Sequence, residues 1–381
     1  MQQQPTHKTQ SKSKSRSRPG AVLAIACLTL LAAAVVIWRA YPRHGLLSSA
    51  VMLVSKGHWV GPERRNGQIQ NYDWLTDTEV ILYRKNADKS VSLLRKQVVP
   101  NGDKTDSVEM PLPKLQNPYG IVMSMERESL CVLYMRLGLP RKKGRMTCEL
   151  ISIKDGKRFG PVQDWLLGMY DPGEKAVCAC EYGKELTASL STFDSRKPRE
   201  IRITGLKNPG VMVGNVWPLF IEPSGRVVAI GDSYYSGIVT PADAIKLGSQ
   251  LSPVRSFVEF NLNHPDLPGK TWSVPVPSDA ATFNCEISPQ HDRLLWVVQS
   301  NKMPVFTQLS QHLPKPMRQL PRYLARWMVS DLAGNHMHTI AEYEISDLHF
   351  NRPDLIMPKW MPDGKHVSYE YKSALYLTSA Q

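Results

Sequence analysis

The sequence predicts an all-β fold, a six-bladed β-propeller. One polar turn phrase recurs along the chain. Each copy leads into a β-rich run, and the early copies lie about 45 to 50 residues apart, the length of one four-stranded blade.

The fullest copy is PKWMPDGKHVSYEY, residues 358–371. Pro362 presets φ, Asp363 can bond its own backbone, and Gly364 accepts the left-handed conformation that closes a tight turn. Val367, Tyr369 and Tyr371 then alternate with His366, Ser368 and Glu370, the period of a strand with two unlike faces. A short strand follows over residues 374–378.

Upstream stand WLTDTEVILYR from Trp74, SMERESLCVLYM from Ser124, GMYDPGEKAVCACEY from Gly168, FIEPSGRVVAIG from Phe220 and ISPQHDRLLWVV from Ile287. Several copies continue into a second hairpin, as in CELISIKDGKRFG from Cys148, SLSTFDSRKPREIRI from Ser189 and RWMVSDLAGNHMHTI from Arg326, so the unit is four strands. The last two intervals are longer by about 20 residues each, which surface insertions explain because loop-closure entropy grows slowly with length. Six units in radial order leave only short, protected sheet edges. A seventh would require the second insertion to hide a strand pair.

The phrase Trp360-Met361-Pro362-Asp363-Gly364-Lys365, with weaker forms at Tyr170 (YDPGEK) and Glu222 (EPSGR), resembles the turn signature of the WD40-like (PD40) repeats of TolB-type β-propellers. The resemblance spans residues 71–381; the copies at Trp74 and Ser124 lack both the Pro and the Gly. It implies a six-bladed propeller closed by a strand from the start of the domain. It implies no activity, because propellers host many unrelated functions.

The N-terminus reads differently. Residues 19–38, PGAVLAIACLTLLAAAVVIW, carry no charge and match the roughly 20 apolar residues of a spanning helix. Before them, Lys8, Lys12, Lys14, Arg16 and Arg18 alternate with polar residues and no acid, a composition that cannot bury enough apolar area to fold. These cations outnumber Arg39 and Arg43 beyond the span, which sets the N-terminus on the cytoplasmic side. The apolar run exceeds the 7–15 residues, roughly, of a signal-peptide core and ends in bulky Val-Val-Ile-Trp, so an uncleaved anchor is expected rather than a cleaved signal. Cys27 has too little apolar sequence before it for a lipoprotein cysteine and reads as a helix-facing residue. The expected organisation is a disordered basic tail over 1–19, a transmembrane helix over 20–38, a linker with a closing strand over 39–70, and the propeller over 71–381. With the resemblance, this implies a bacterial-type inner membrane, a single pass, and an extracytoplasmic C-terminal domain.

The net charge of +13 is concentrated at that end. Seven of the 47 basic residues precede residue 45 and the first acid is Glu63, so 40 basic against 34 acidic residues leaves +6 elsewhere. Clustered cations of the nucleic-acid kind are missing, which excludes DNA or RNA as an expected partner.

Five cysteines fall in the domain. Cys131 and Cys148 sit on two strands flanking GLPRKKGR and could face one another, which allows one bridge in an oxidising compartment, although such residues are more often simply buried strand positions. Cys178 and Cys180 share a strand face without metal-type spacing and read as core.

Sequence patterns for zinc hydrolysis, nucleophile elbows, phosphate loops and Cys-x-x-Cys pairs are absent, and no cofactor is expected. His336 and His338 would share a strand face, but no third ligand is assignable, so they read as blade-edge residues. His291 and Asp292 occupy a turn corner.

Two insertions depart from the repeat. The first, over about 232–256, carries Tyr234 and Tyr235 and a helix start at Thr240-Pro241. The second, over about 300–326, carries Lys302, Lys315, Arg318, Arg322, Tyr323 and Arg326 without an acid and is stiffened by Pro304, Pro314, Pro316 and Pro321. Aromatic and Arg side chains anchor interfaces, so Tyr234, Tyr235, Lys315, Arg318, Arg322, Tyr323 and Arg326 are the candidate partner-binding residues. The competing reading makes both insertions covers for a blade edge. The expected function is a membrane-tethered protein-binding or scaffold module of the cell envelope. The alternatives are a hydrolase or other enzyme with its site in the channel, or a small-molecule sensor domain.

Overall fold

The computed structural model describes residues 51–54, 72–98, 108–118, 120–124, 127–135, 146–163, 169–171, 176–182, 186–192, 199–206, 214–231, 254–275, 277–300, 302–303, 305–312, 314–315, 322–345, 356–371 and 374–381. They form an all-β propeller of antiparallel sheets.

Strand β1 (Val51–Val54) comes first among the described elements and pairs with the last of them. The first sheet runs β2 (Tyr72–Thr76), β3 (Glu79–Lys85), β4 (Ser90–Gln97) and β5 (Val108–Glu109), with short β6 (Leu115–Gln116) also on β4. The second runs β7 (Gly120–Met123), β8 (Ser129–Met135), β9 (Met146–Ser152) and β10 (Arg158–Gln163).

The third has eight strands in two successive meanders. One comprises β11 (Met169–Asp171), β12 (Ala176–Tyr182), β13 (Leu186–Thr192) and β14 (Arg199–Ile203). The other comprises β15 (Gly214–Ile221), β16 (Arg226–Gly231), β17 (Val254–Asn261) and β18 (Lys270–Pro275).

The fourth sheet holds β19 (Ala280–Ile287), β20 (Arg293–Ser300), β21 (Tyr323–Asp331) and β22 (His338–Ile345), with helix α1 (Val305–Ser310) between β20 and β21. The last sheet is β23 (Lys359–Trp360), β24 (His366–Tyr371), β25 (Ala374–Ser379) and then β1, where Val51 faces Leu377 and Met52 faces Tyr376.

The sequence predicts six four-stranded blades; the described residues form five sheets. The difference has a local cause. Strand β11 covers only Ala176 to Cys178 of β12, which leaves the rest of that edge open. The start of β15 fills it, pairing Val216 with Cys180 and Gly214 with Tyr182, so two meanders share hydrogen bonds. The described part of the second insertion contains α1 and no strand pair.

Strands in the middle of each sheet are buried on both faces, so they read as unbroken apolar runs. Along β3, Val80 and Leu82 pack with Met361 and Leu375 of the last sheet. Ile81 and Tyr83, on the opposite face, pack with Ile121, Leu130 and Val132 of the second. The same alternation joins the two meanders through Leu190, Val216 and Val258. It joins β16 and β17 to the fourth sheet through Phe257 and Trp296, and the fourth sheet to the last through Trp327 and Tyr369. Burying such a side chain contributes about 1.5–3 kcal/mol. The fourth strands β14 and β18 are mostly exposed, so they form outer edges and the first strands lie inside.

The recurrent phrase is one turn geometry. The amides of Arg127, Gly225, His291 and Gly364 donate to the carbonyls of Ser124, Glu222, Ser288 and Met361, each three residues back. All four have positive φ, at 60°, 82°, 58° and 59°. Asp363 Oδ1 accepts from the Lys365 amide at 2.8 Å, as its turn chemistry predicts.

The Cys131 and Cys148 thiols are buried with their sulfurs 2.6 Å apart. Cys178 and Cys180 are buried in the core between the two meanders. Among the described residues no helix is long and apolar enough to cross a membrane. The apolar run 19–38 lies outside them.

Candidate functional site

Charged groups from three sheets converge at the inner edge of the propeller. Lys359 is the first residue of β23, and its neighbour Trp360 faces the fourth sheet. Alternation therefore turns Lys359 toward the first sheet. Its Nζ donates to Asp73 Oδ1 at 2.5 Å and to the Tyr72 carbonyl, and lies 5.1 Å from the Tyr72 ring centroid. Asp73 sits on β2 between Tyr72 and Trp74, which pack against the last sheet. Its other oxygen accepts from the Tyr83 hydroxyl at 2.7 Å. Burial, reinforced by the Asp73 charge, holds the Tyr83 phenol well above its usual pKa, so it stays a donor.

Glu286 comes from β19, where Cys285 and Ile287 face the second meander. Its carboxyl points the other way, enclosed by protein and partly open to solvent. Burial raises its pKa to about 7, with Lys359 pulling down and Asp73 pushing up. No hydrogen bond or ion pair to another described residue engages it. Among the described residues, the Lys359 ammonium gives two of its three donors to Tyr72 and Asp73. The wall therefore offers one carboxyl that can accept or donate near neutral pH.

Sequence reading passed over these residues because a single charge in a strand resembles a solvent-facing position. One signal was available. Lys359 and Glu286 each stand two residues before the start of their turn, at Met361 and Ser288, where the other turns have Phe220 and Val122.

The candidate partner-binding residues scatter. Tyr234, Tyr235 and Arg318 lie outside the described residues. Lys315 is exposed beyond α1, and Leu309 on α1 is 61% exposed. Tyr323 is buried in the core between the fourth and last sheets. Arg322 donates to Glu344 at 3.4 Å. Arg326 donates to Asp279 Oδ1 at 2.6 Å, while Ser300 donates to Asp279 Oδ2 at 2.6 Å. Burial opposes ionisation of Asp279, yet the Ser300 and Arg326 bonds hold its carboxyl below the usual range. These groups fasten the base of the second insertion to the sheet. His336 and His338 are exposed, and among the described residues no group of three His, Cys, Asp or Glu could hold a metal.

No family model matches the chain, and no curated protein matches it. Solved structures do. One assigned to TolB from Agrobacterium tumefaciens is 14% identical over 79% of this chain and 90% of that one, with a TM-score of 0.39. An oligogalacturonate lyase from Vibrio parahaemolyticus is 10% identical over 87% of this chain and 93% of that one, at 0.43. A eukaryotic initiation factor is 10% identical over 84% and 78%, at 0.35. The fold assignment rests on the strand pairings and inter-sheet cores.

Proposed function

We propose that the chain is a membrane-tethered, partner-binding propeller of the cell envelope, with its two four-stranded meanders counted as separate blades to give six. The observation that carries the binding reading is the convergence of Glu286 with the Lys359–Asp73 pair on inner strands of three sheets. Charges of both signs, walled by aromatic residues and holding unused hydrogen-bonding capacity, suit a polar segment of a partner better than a smooth apolar plug would. The second insertion, fastened at Asp279 and presenting Leu309 and Lys315, supplies a further contact. Tyr234, Tyr235 and Arg318 belong to the same proposal. The uncharged run 19–38 and the cations before it support a single span with the propeller outside the cytoplasm.

A second reading follows from one group. A carboxyl that titrates near 7 in an enclosed wall suits general acid–base chemistry. A hydrolase screen whose rate profile turns near pH 7 and is lost in Glu286→Gln would favour it.

The test is capture of partners from mild-detergent extracts by the full chain, by Glu286→Gln, and by a chain lacking residues 304–320, which leaves Ser300, Arg322 and Tyr323 in place. A partner lost with Glu286→Gln supports the inner wall. One lost only with the insertion moves docking to it, and no capture by any chain overturns the binding reading. A mature N-terminus mapping after Ala34 would overturn the anchor.

A further inference from the structure

We infer that Cys131 and Cys148 form an intrachain disulfide that staples the β8–β9 hairpin. Four observations converge on the pair. Cys131 faces Leu150 and Cys148 faces Leu133, so the two share one sheet face on a diagonal of adjacent antiparallel strands, a spacing ordinarily wide for a bridge that their side chains close by leaning together. Their sulfurs are 2.6 Å apart. That is too close for two thiols at rest and about 0.6 Å beyond a covalent S–S bond. Both side chains are buried, at 6% and 0% exposure, so little space exists for the sulfurs to part. In the reduced form the Cys131 side chain, then burial, holds the Cys148 thiol well above its usual pKa, which makes Cys148 a poor nucleophile once folded.

The neighbours of the pair are fixed. Leu130, Val132 and Ile151 belong to the core shared with the first sheet, so alternation puts Cys131, Cys148 and Leu150 together on the other face. Cys178 and Cys180 are a weaker pair, because neighbours on one strand at 3.9 Å point in parallel rather than toward each other.

Formation is a two-electron exchange. A thiolate of the pair attacks a low-molecular-weight disulfide such as oxidised glutathione and releases one thiol. The second cysteine then attacks the mixed disulfide and releases the other. Both S–H bonds are lost, one S–S bond forms, and the donor leaves as two thiols. Burial confines this exchange to the unfolded or opening chain, so the bond reports the redox state where folding takes place.

The test uses the full chain in detergent, reduced and unfolded, then refolded in a glutathione redox buffer. It is then unfolded again in guanidinium with iodoacetamide and no reductant. The expected result is a peptide pair linked through Cys131 and Cys148, lighter by about 2 Da than the two free peptides, with Cys27, Cys178, Cys180 and Cys285 alkylated. Alkylation of both Cys131 and Cys148, or glutathione retained on either, overturns the inference. Chain isolated from cells and trapped with iodoacetamide at lysis answers a separate question. A linked pair there supports an extracytoplasmic propeller, and a reduced pair that links in the redox buffer counts against that location alone.

Discussion

The imidazole of His291 lies flat against the ring of Phe220, with centroids 4.1 Å apart and planes within 10°. The two residues belong to the turn of the fourth sheet and the inner strand β15, and His291 Nδ1 also stands 3.3 Å from Glu222 Oε1. The contact explains a non-glycine residue at φ 58°: the strain is offset by an inter-sheet stack. His291→Ala keeps the strain and loses the stack, and should lower stability by about 1–2 kcal/mol. His291→Gly loses the stack but relaxes the backbone, and should cost less. Urea unfolding of both variants checks the order.

Glu286 gives a pH signature. Its folded pKa of about 7 lies above the unfolded value, so folding favours the protonated form. Below an unfolded pKa of about 4.3 both states are protonated and no penalty exists. As pH rises from there through 7 the unfolded chain releases its proton first, and stability falls by on the order of 3 kcal/mol. Glu286→Gln should remove that slope and be the more stable protein at pH 8. Thermal unfolding at pH 5, 6, 7 and 8 would read it, and parallel profiles would show that another group titrates.

Asp279 has the opposite sign. Its depressed carboxyl contributes stability that is present above the unfolded pKa and lost as pH falls through the folded one. Asp279→Asn leaves the Arg326 guanidinium, 18% exposed, without its anion, and should cost roughly 2–4 kcal/mol. Hydrogen exchange should show the loosening first in α1 and the start of β21.

Two glycines should respond differently to alanine. A Cβ at Gly205 would stand 1.7 Å from the Leu267 carbonyl oxygen, whereas at Gly364 the obstacle is the end of the Gln290 side chain. Backbone cannot step aside and an amide can. Gly205→Ala should cost more than about 3 kcal/mol. Gly364→Ala should cost about 1–2 kcal/mol, from its positive φ and the lost Gln290 bond to the Pro362 carbonyl. Denaturant midpoints separate the two.

The repeat was legible wherever local chemistry sufficed. Pro362, Asp363 and Gly364 announce their turn, and the alternation at Val367 and Tyr369 announces the strand that follows. His291 hides the same left-handed position because its φ is stabilised by a stack on Phe220 of a neighbouring sheet, beyond the reach of local propensity. The joining of β12 to β15 was illegible for a related reason: which edge stays open depends on the shortness of β11, and strand length is poorly encoded in a few residues. The inner-wall charges were scattered over more than two hundred positions, and only the ring brings them together.

The pairing of β1 with β25 sets a clock on synthesis. Partners about 320 residues apart meet only once the last strand has left the ribosome, a wait of roughly 20 to 60 seconds at ordinary translation rates. Until then β1 has no partner strand and the first sheet lacks the Lys359 and Ser368 groups that grip Asp73, Tyr72 and Trp74. The growing chain therefore carries two unmatched edges for the whole interval, and a chaperone that shields strand edges would find its longest opportunity there.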